Sequence, residues 1–181
     1  MAKVLYSAAM SLDGFIAGPG GDMQWMRPYA GPNPEIDAML PEIGALLIGN
    51  RTFRGDDPNR GTEHEGAYGG TWDGPSIVLT HHPEEATSGD VTFVGDLATG
   101  LAAAKAAAGD RYVSVLGADV ARQCLQAGEL DEILVMVVPV LLGDGTRLFD
   151  RPGGDRVRLE QLRVSEAPTG TNLWMRVAAA P

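Results

Sequence analysis

Short apolar runs alternate with helical patterns along most of this chain. "KVLYSAAM" (3–10) predicts a buried strand, and "SLDG" after it predicts a turn. "ALLIG" (45–49) and "SIVLT" (76–80) are unbroken apolar runs, the pattern of strands covered on both faces. "DVTFVG" (90–95), "RYVSVLG" (111–117) and the opening of "LDEILVMVVPVLLG" (130–143) complete the internal strands. Between them, Asn33 can cap a short helix, with Pro34 in its first turn and Glu35 and Asp37 at the positive end of its dipole. "DLATGLAAAKAAAGD" (96–110) is the clearest helix, with Asp96 as N-cap and Gly109 at its C-terminal end. Residues 118–127 form another, stopped by Gly128, with Val120, Cys124 and Leu125 at helical spacing. Two period-2 segments, "RVRLEQLRVSEA" (156–167) and "TNLWMRVAA" (171–179), flank "PTG" and predict a hairpin.

This order predicts an α/β fold with a mostly parallel sheet and an antiparallel edge. Ligands on such sheets bind outside the carboxyl ends of the strands. Gly49, Thr80, Gly95 and Gly117 fall at those ends. Glycine and proline together make about 20 % of the chain, against roughly 12 % in average usage. They gather in 18–34 and 54–75, which predicts two long functional loops. With no repeat and no linker, residues 1–181 are expected to form a single domain.

Charge narrows the partners. Fourteen basic residues against 24 acidic ones leave a net charge of −10. A net anion without a basic stripe is repelled by phosphate backbones, so neither nucleic acid nor an anionic membrane is expected as partner. No apolar run is long enough to cross a bilayer, the start lacks a secretory pattern, and a cytoplasmic location is expected. The single cysteine, Cys124, has no disulfide partner within the chain and is expected to be buried and inert.

Four stretches carry candidate chemistry. "LLIGNRTF" (46–53) ends a strand at Gly49 and starts a helix near Asn50, where exposed backbone N–H groups, Arg51 and Thr52 can bind an anion. "VLTHH" (78–82) places Thr80, His81 and His82 beyond a strand end, suited to an adenine ring or a ribose phosphate. A metal held with His64 is the rival reading, made awkward because adjacent histidines alternate sides of an extended chain. In "VLGADVA" (115–121), Gly117 and Ala118 let backbone N–H groups approach a pyrophosphate, whereas the charge of Asp119 opposes one unless it is turned away. In "MSLDGFIAG" (10–18), Asp13 either organises its own turn or faces a substrate. No Ser-His-Asp order, carboxylate pair or P-loop accompanies them. Backbone cradles without a nucleophile suit hydride transfer, where the cofactor supplies the chemistry.

Taken in order, "AAMSLDGFIAG", "LLIGNRTF", "IVLTHH" and "VSVLGADVARQCLQAGELDEILVMVVPVLLGDGTRLF" (113–149) resemble the dihydrofolate-reductase-like superfamily. The nearest branch is the reductase domain of the riboflavin-biosynthesis deaminase-reductase and its stand-alone relatives. The resemblance implies a three-layer fold, a mixed, mostly parallel sheet flanked by helices with an antiparallel C-terminal hairpin. It implies NADPH across the carboxyl edge and hydride transfer to a small pteridine- or pyrimidine-like C=N or C=O group, as in 5-amino-6-(5-phosphoribosylamino)uracil reduction. By similarity, Ala9 and Ile16 would wall the nicotinamide. Gly49, Asn50, Arg51 and Thr52 would hold the pyrophosphate from one side, and Gly117, Ala118, Asp119 and Val120 from the other. Thr80 and His81 would meet the adenosine end. Met10, Asp13 and the loop of Trp25 would face the substrate, with water or Asp13 assisting protonation. A homodimer is expected by the same analogy; no metal is expected, on the spacing of the histidines given above. The family's G-R-x-T is Gly49-Asn50-Arg51-Thr52 here, its V-E-G-G is Val115-Leu116-Gly117-Ala118, and its lysine before the first loop is Ser7. Glu35 and Asp37 lie nearest the acid that dihydrofolate reductases carry by the first helix. The alternative function is a nucleotide-binding protein of this fold without turnover; a metal-dependent hydrolase rests only on histidines and acids within 62–82.

Overall fold

The apolar runs become the inner strands of one sheet. The computed structural model describes residues 1–83 and 89–178. Strands β1 (Val4–Ser11), β3 (Ile43–Gly49), β4 (Ser76–Leu79), β5 (Val91–Val94), β6 (Tyr112–Leu116) and β7 (Glu132–Val138) pair in parallel, in the order β5-β4-β3-β6-β1-β7. The hairpin of β9 (Leu159–Ala167) and β10 (Gly170–Val177) extends the sheet beyond β7, with β10 antiparallel to it and β9 at the edge. The predicted α/β order and antiparallel C-terminal hairpin are both present.

Alternation along the strands sends successive side chains to opposite faces. Val4 and Tyr6 of β1, Ala45 and Leu47 of β3, and Val113 and Val115 of β6 join Leu101, Ala104, Val120 and Cys124 of α3 (Leu97–Ala108) and α4 (Ala118–Gln126) in one core. Leu5, Leu46, Ile48 and Leu134 form the other, with Met39 of α1 (Pro34–Met39) and with Tyr68 and Trp72 from the loop 54–75. Fully burying a side chain such as Leu46, Leu47 or Leu134 stabilises by about 1.5–3 kcal/mol, so these two layers outweigh any single polar contact. Gly44 lets α3 approach β3 closely: a Cβ there would lie 2.5 Å from the Ala108 carbonyl oxygen. Cys124 is buried and free, and burial pushes its thiol up to about 12, which makes it inert as expected.

The caps read from the sequence are in place. Asp96 accepts from Thr99 N at 2.9 Å, and Gly109 ends α3 with a positive φ of 66°. Asn33 accepts from the N–H groups of Glu35 and Ile36 at the start of α1. Its side chain also exchanges two hydrogen bonds with buried Asn172 on β10, at 2.9 and 3.0 Å. Glu35 is buried and accepts from Arg163 Nη1 at 3.0 Å and Ser165 Oγ at 2.8 Å, both on β9. A buried carboxylate is tolerated only when so paired. This polar seam fixes α1 against the hairpin. It also gives Glu35 a structural partner in place of a substrate.

Several features depart from the sequence pattern. A second, two-stranded ribbon pairs β2 (Phe15–Ala17) with β8 (Thr146–Arg147), two short segments with no apolar period. The run 130–143 leaves the sheet after Val138. The glycine-rich segment 18–34 contains 3-10 turns at Pro19–Gly21 and Gln24–Tyr29. The helix expected near Asn50, α2 (Asn50–Phe53), is one turn long. The predicted end of the last strand, residue 179, lies outside the described residues. No helix among the described residues is long and apolar enough to cross a membrane.

Replacing Asn33 by Ala removes a helix cap and strands a buried amide on Asn172, so Asn33→Ala is expected to destabilise by about 2–4 kcal/mol. Urea unfolding measures it. The double variant Asn33→Ala/Asn172→Ala should cost clearly less than the sum of the two single variants, because both act on one pair of bonds.

Candidate functional site

The sheet brings two strand-to-helix junctions side by side. β3 and β6 are neighbours, with Ile48 opposite Leu116, and each runs directly into a helix at its carboxyl end. Gly49 leads into α2 and Gly117 into α4. At Gly117 φ is +108°, a conformation that side chains rarely adopt, and a Cβ there would lie 2.5 Å from Thr52 Oγ1. A Cβ at Gly49 would lie 3.2 Å from Val120 Cγ2. The two junctions therefore meet corner to corner, and a side chain at Gly117 would collide with Thr52.

This corner gathers Gly49, Asn50, Arg51, Thr52, Gly117, Ala118, Asp119 and Val120 from two segments far apart in sequence. α1 and α3 carry capping side chains, whereas neither α2 nor α4 does. The first N–H groups of a helix have no intrahelical partner, so at α4 they are left for water or a ligand. The charge of Asp119 is occupied on its own helix, accepting from Arg122 Nη2 and from Gln123 Nε2 at 2.7 Å. Burial alone would raise this carboxyl. The bonds from Arg122 and Gln123, with the charges of Arg122 and Arg51, hold it below its ordinary value. Arg51 is exposed beside this corner, so the net local field is not hostile to a diphosphate.

The chain belongs to the RibD C-terminal domain family: the model of that family matches residues 2–173. The chain is 26 % identical over 152 residues to the uncharacterized protein YwjB of Bacillus subtilis (strain 168), covering 81 % of this chain and 82 % of that one. Among solved structures it is similar to a putative riboflavin biosynthesis protein of Shewanella sp. PV-4, at TM-score 0.75 and 22 % identity, over 99 % of this chain and 100 % of that one. It is also similar to the riboflavin biosynthesis reductase Rib7 of Saccharomyces cerevisiae, at TM-score 0.65 and 18 % identity, over 98 % and 90 % of the two chains. At these identities the solved structures speak to the fold, and the dihydrofolate-reductase-like arrangement expected from the sequence is the one they share with this chain.

Within the RibD C-terminal domain frame the remaining candidates separate. Ala9 is partly buried on the α1 face of β1, the face of Leu5 and Ser7. Met10, one residue on, packs against the opposite core beneath α3 and α4, so the structure does not bring it to the same side as Ala9. Ile16 is partly buried in β2. Thr80 is buried at the end of β4, and its Oγ1 accepts from His82 N at 3.2 Å; His81 is exposed. Among the described residues no three His, Cys, Asp or Glu side chains are placed to hold a metal ion.

Asp13 is a clamp between two loops. Its Oδ1 accepts from Ser11 Oγ at 2.6 Å and from Leu142 N at 3.1 Å, and its Oδ2 accepts from Gly143 N at 2.7 Å. The bond from Ser11, reinforced by those backbone N–H groups, holds the carboxyl down at about 2. A group that acidic is an anion at neutral pH and has no proton to give. The turn reading of Asp13 fits this geometry and the proton-donor reading does not.

The segment carrying Trp25 is tied at both ends. Asp56 accepts from Met23 N at 3.1 Å and Gln24 Nε2 at 2.9 Å, and Thr169 Oγ1 donates to the Tyr29 carbonyl at 2.8 Å. The indole Nε1 of Trp25 is buried without an acceptor, alone in this among the side-chain nitrogens and oxygens of the described residues. A buried orphan donor costs about 1–3 kcal/mol until something accepts from it. Sequence reading missed Tyr68, whose phenol shares a 2.6 Å hydrogen bond with Ser114 Oγ. Its only sequence signal is an aromatic residue set among glycines in "EGAYGG".

Because the Asp13 carboxyl is depressed, its clamp is complete above the ordinary aspartate range and is lost only as pH falls through about 2. Side-chain NMR titration should place its midpoint there. Asp13→Ala should speed amide exchange at Leu142 and Gly143 by roughly tenfold or more at neutral pH. A midpoint near 4 would contradict the clamp.

Proposed function

We propose that this chain is an NADPH-dependent reductase that transfers hydride to a ring C=N or C=O of a small pyrimidine- or pteridine-like molecule. The observation that carries this reading is the glycine corner. Gly117, with its positive φ, lets the Thr52 hydroxyl lie against the backbone where uncapped α4 begins, so closely that a Cβ would clash with it. A diphosphate bridge needs that combination of backbone donors, close approach and a nearby cation. Bound nicotinamide dinucleotide supplies the hydride.

The residues of the chain bind and orient. The N–H groups opening α4, with Thr52 Oγ1 and the Arg51 guanidinium, hold the diphosphate. The exposed His81 meets a phosphate at the adenosine end, beside buried Thr80, whose Oγ1 accepts from His82 N. Ala9 and Ile16 form the apolar wall that keeps water from the reacting ring. Asp13 holds the loops 11–14 and 142–143 in register at the same edge, and the proton comes from water. Membership of the RibD C-terminal domain family supports the oxidoreductase class. The edge strand β9, with Leu159, Leu162 and Val164 39–48 % exposed, supports a homodimer.

NADPH titrated into the pure protein should bind more tightly than about 1 mM, within the usual range of cofactor and substrate affinities. Arg51→Ala should weaken it by about 1.5–3 kcal/mol, the range for a charged hydrogen bond. Gly117→Ala should abolish it while leaving the far-UV spectrum intact. NADPH and NADH both binding more weakly than about 1 mM would overturn the reading. Oxidation of NADPH in the presence of a pyrimidine or pteridine acceptor separates turnover from binding alone.

A further inference from the structure

We propose that two copies of this chain join along β9, edge to edge and antiparallel, with Leu159 of each copy opposite the partner's Val164. This contact rests on the homodimer reading above and is independent of the redox one. β9 ends the sheet: among the described residues it pairs with β10 and with no other strand. Ala178 N donates to the Arg158 carbonyl, so the backbone polar groups of Arg158 point toward β10 and those of Leu159, one residue on, point outward. A strand of nine residues with that outer row unmet is a template for another strand.

A bulge selects the register. Leu162 is an extra residue in β9, because Gln161 pairs with Met175 and Arg163 with Trp174. The extra residue reverses the alternation, so Leu159 and Val164 share one face although an odd number of positions separates them. Leu159 pairs with Val177, and Val164 with Leu173, which pairs in turn with Val135; Val177 and Val135 both belong to the core beneath α3 and α4. Glu160 and Arg163 share the opposite face, paired with Arg176 and Trp174. Residues opposed in an antiparallel pair must lie on the same face. A two-fold axis between Gln161 and Leu162 satisfies this beyond the bulge: Leu159 meets the partner's Val164, Glu160 the partner's Arg163, and Arg158 the partner's Ser165. The bulge then sits on the axis, and each regular half of β9 pairs with the other regular half.

Complementarity favours this register over its neighbours. A slip by one residue opposes side chains on different faces. A slip by two sets Leu159 against the partner's Glu166 in one direction and Arg158 against the partner's Arg163 in the other. The register proposed instead joins two apolar side chains that are 45 % and 48 % exposed in the single chain, and sets a carboxylate against a guanidinium. Symmetry makes each contact twice. Arg163 spends Nη1 on Glu35, and a guanidinium has further N–H donors for a second carboxylate. The strand is also where two copies of an anion repel least. The chain carries a net charge of −10, whereas residues 157–166 hold two arginines and two glutamates.

Sedimentation velocity of the full chain at micromolar concentration should show a dimer, and Leu159→Lys should return it to a monomer. Within one chain positions 159 and 164 lie roughly 16 Å apart along an extended strand, too far for a disulfide, whereas an opposed hydrogen-bonded pair stands at about 5.5 Å. The double variant Leu159→Cys/Val164→Cys should therefore oxidise to a covalent dimer, and neither single variant should. Cys124 is buried and adds no cross-link. In the unaltered protein, amide exchange at Leu159 and Val164 should be slower by roughly tenfold or more than in Leu159→Lys at neighbouring outward positions. A monomeric unaltered chain, a dimer whose Leu159 and Val164 amides exchange freely, or faster cross-linking by Gln161→Cys/Val164→Cys would each overturn the proposal. Should the cysteine variants misfold, exchange in the unaltered dimer decides. Failure to bind NADPH would sink the reductase reading and leave these results standing.

Discussion

The close approach of Gly117 to Thr52 is the constraint on which the arrangement turns. It exists because β3 and β6 are adjacent and parallel, so both deliver their chain to the same edge and both must turn there into a helix. Two parallel strands about 5 Å apart cannot each carry a side chain into that shared corner. A glycine on each strand resolves the conflict, and the positive φ at Gly117 aims α4 with its first N–H groups uncovered. The corner is thus a consequence of topology, made possible by two residues without side chains.

Polar groups elsewhere are arranged so that they do not compete with it. Burying an ionised carboxylate is costly, and three of those here are matched with several donors: Glu35 with two from β9, Glu132 with three, and Asp13 with a hydroxyl and two backbone N–H groups. These matched sites serve as joints. Glu35 joins α1 to the hairpin, Glu132 joins the amino ends of β1, β6 and β7 to β10, and Asp13 joins two loops at the carboxyl edge. None is left with an unmet charge facing the central strands.

Local signals in the sequence found what local physics determines. The apolar runs gave the strands, and Asn33 and Asp96 gave the helix starts, because a cap and an apolar period act within a few residues. Gly49 and Gly117 were legible as junction residues for the same reason. What depends on distant partners was not. Asp13 meets Leu142 and Gly143 across 129 and 130 positions, and Glu35 meets Arg163 across 128, so no local pattern distinguishes either from a free acid. The ribbon of β2 and β8 is three residues against two, too short to carry a period. Met10 is a different kind of miss. Period-2 alternation already places it on the opposite face from Ala9, and that signal was present in "SAAMS".

The same alternation explains how one edge holds two environments. At the end of β3, Gly49 lies against Val120 on the helix side, while Ile48, one residue earlier, belongs to the core beneath the loop 54–75. At the end of β6, Gly117 meets Thr52, while Leu116 joins the core with Ile48. A step of one residue therefore passes from a polar corner lined by backbone to an apolar floor with three hydroxyls behind it. Because the two share strands, any shift in strand register that widened one would flip every side chain of the other.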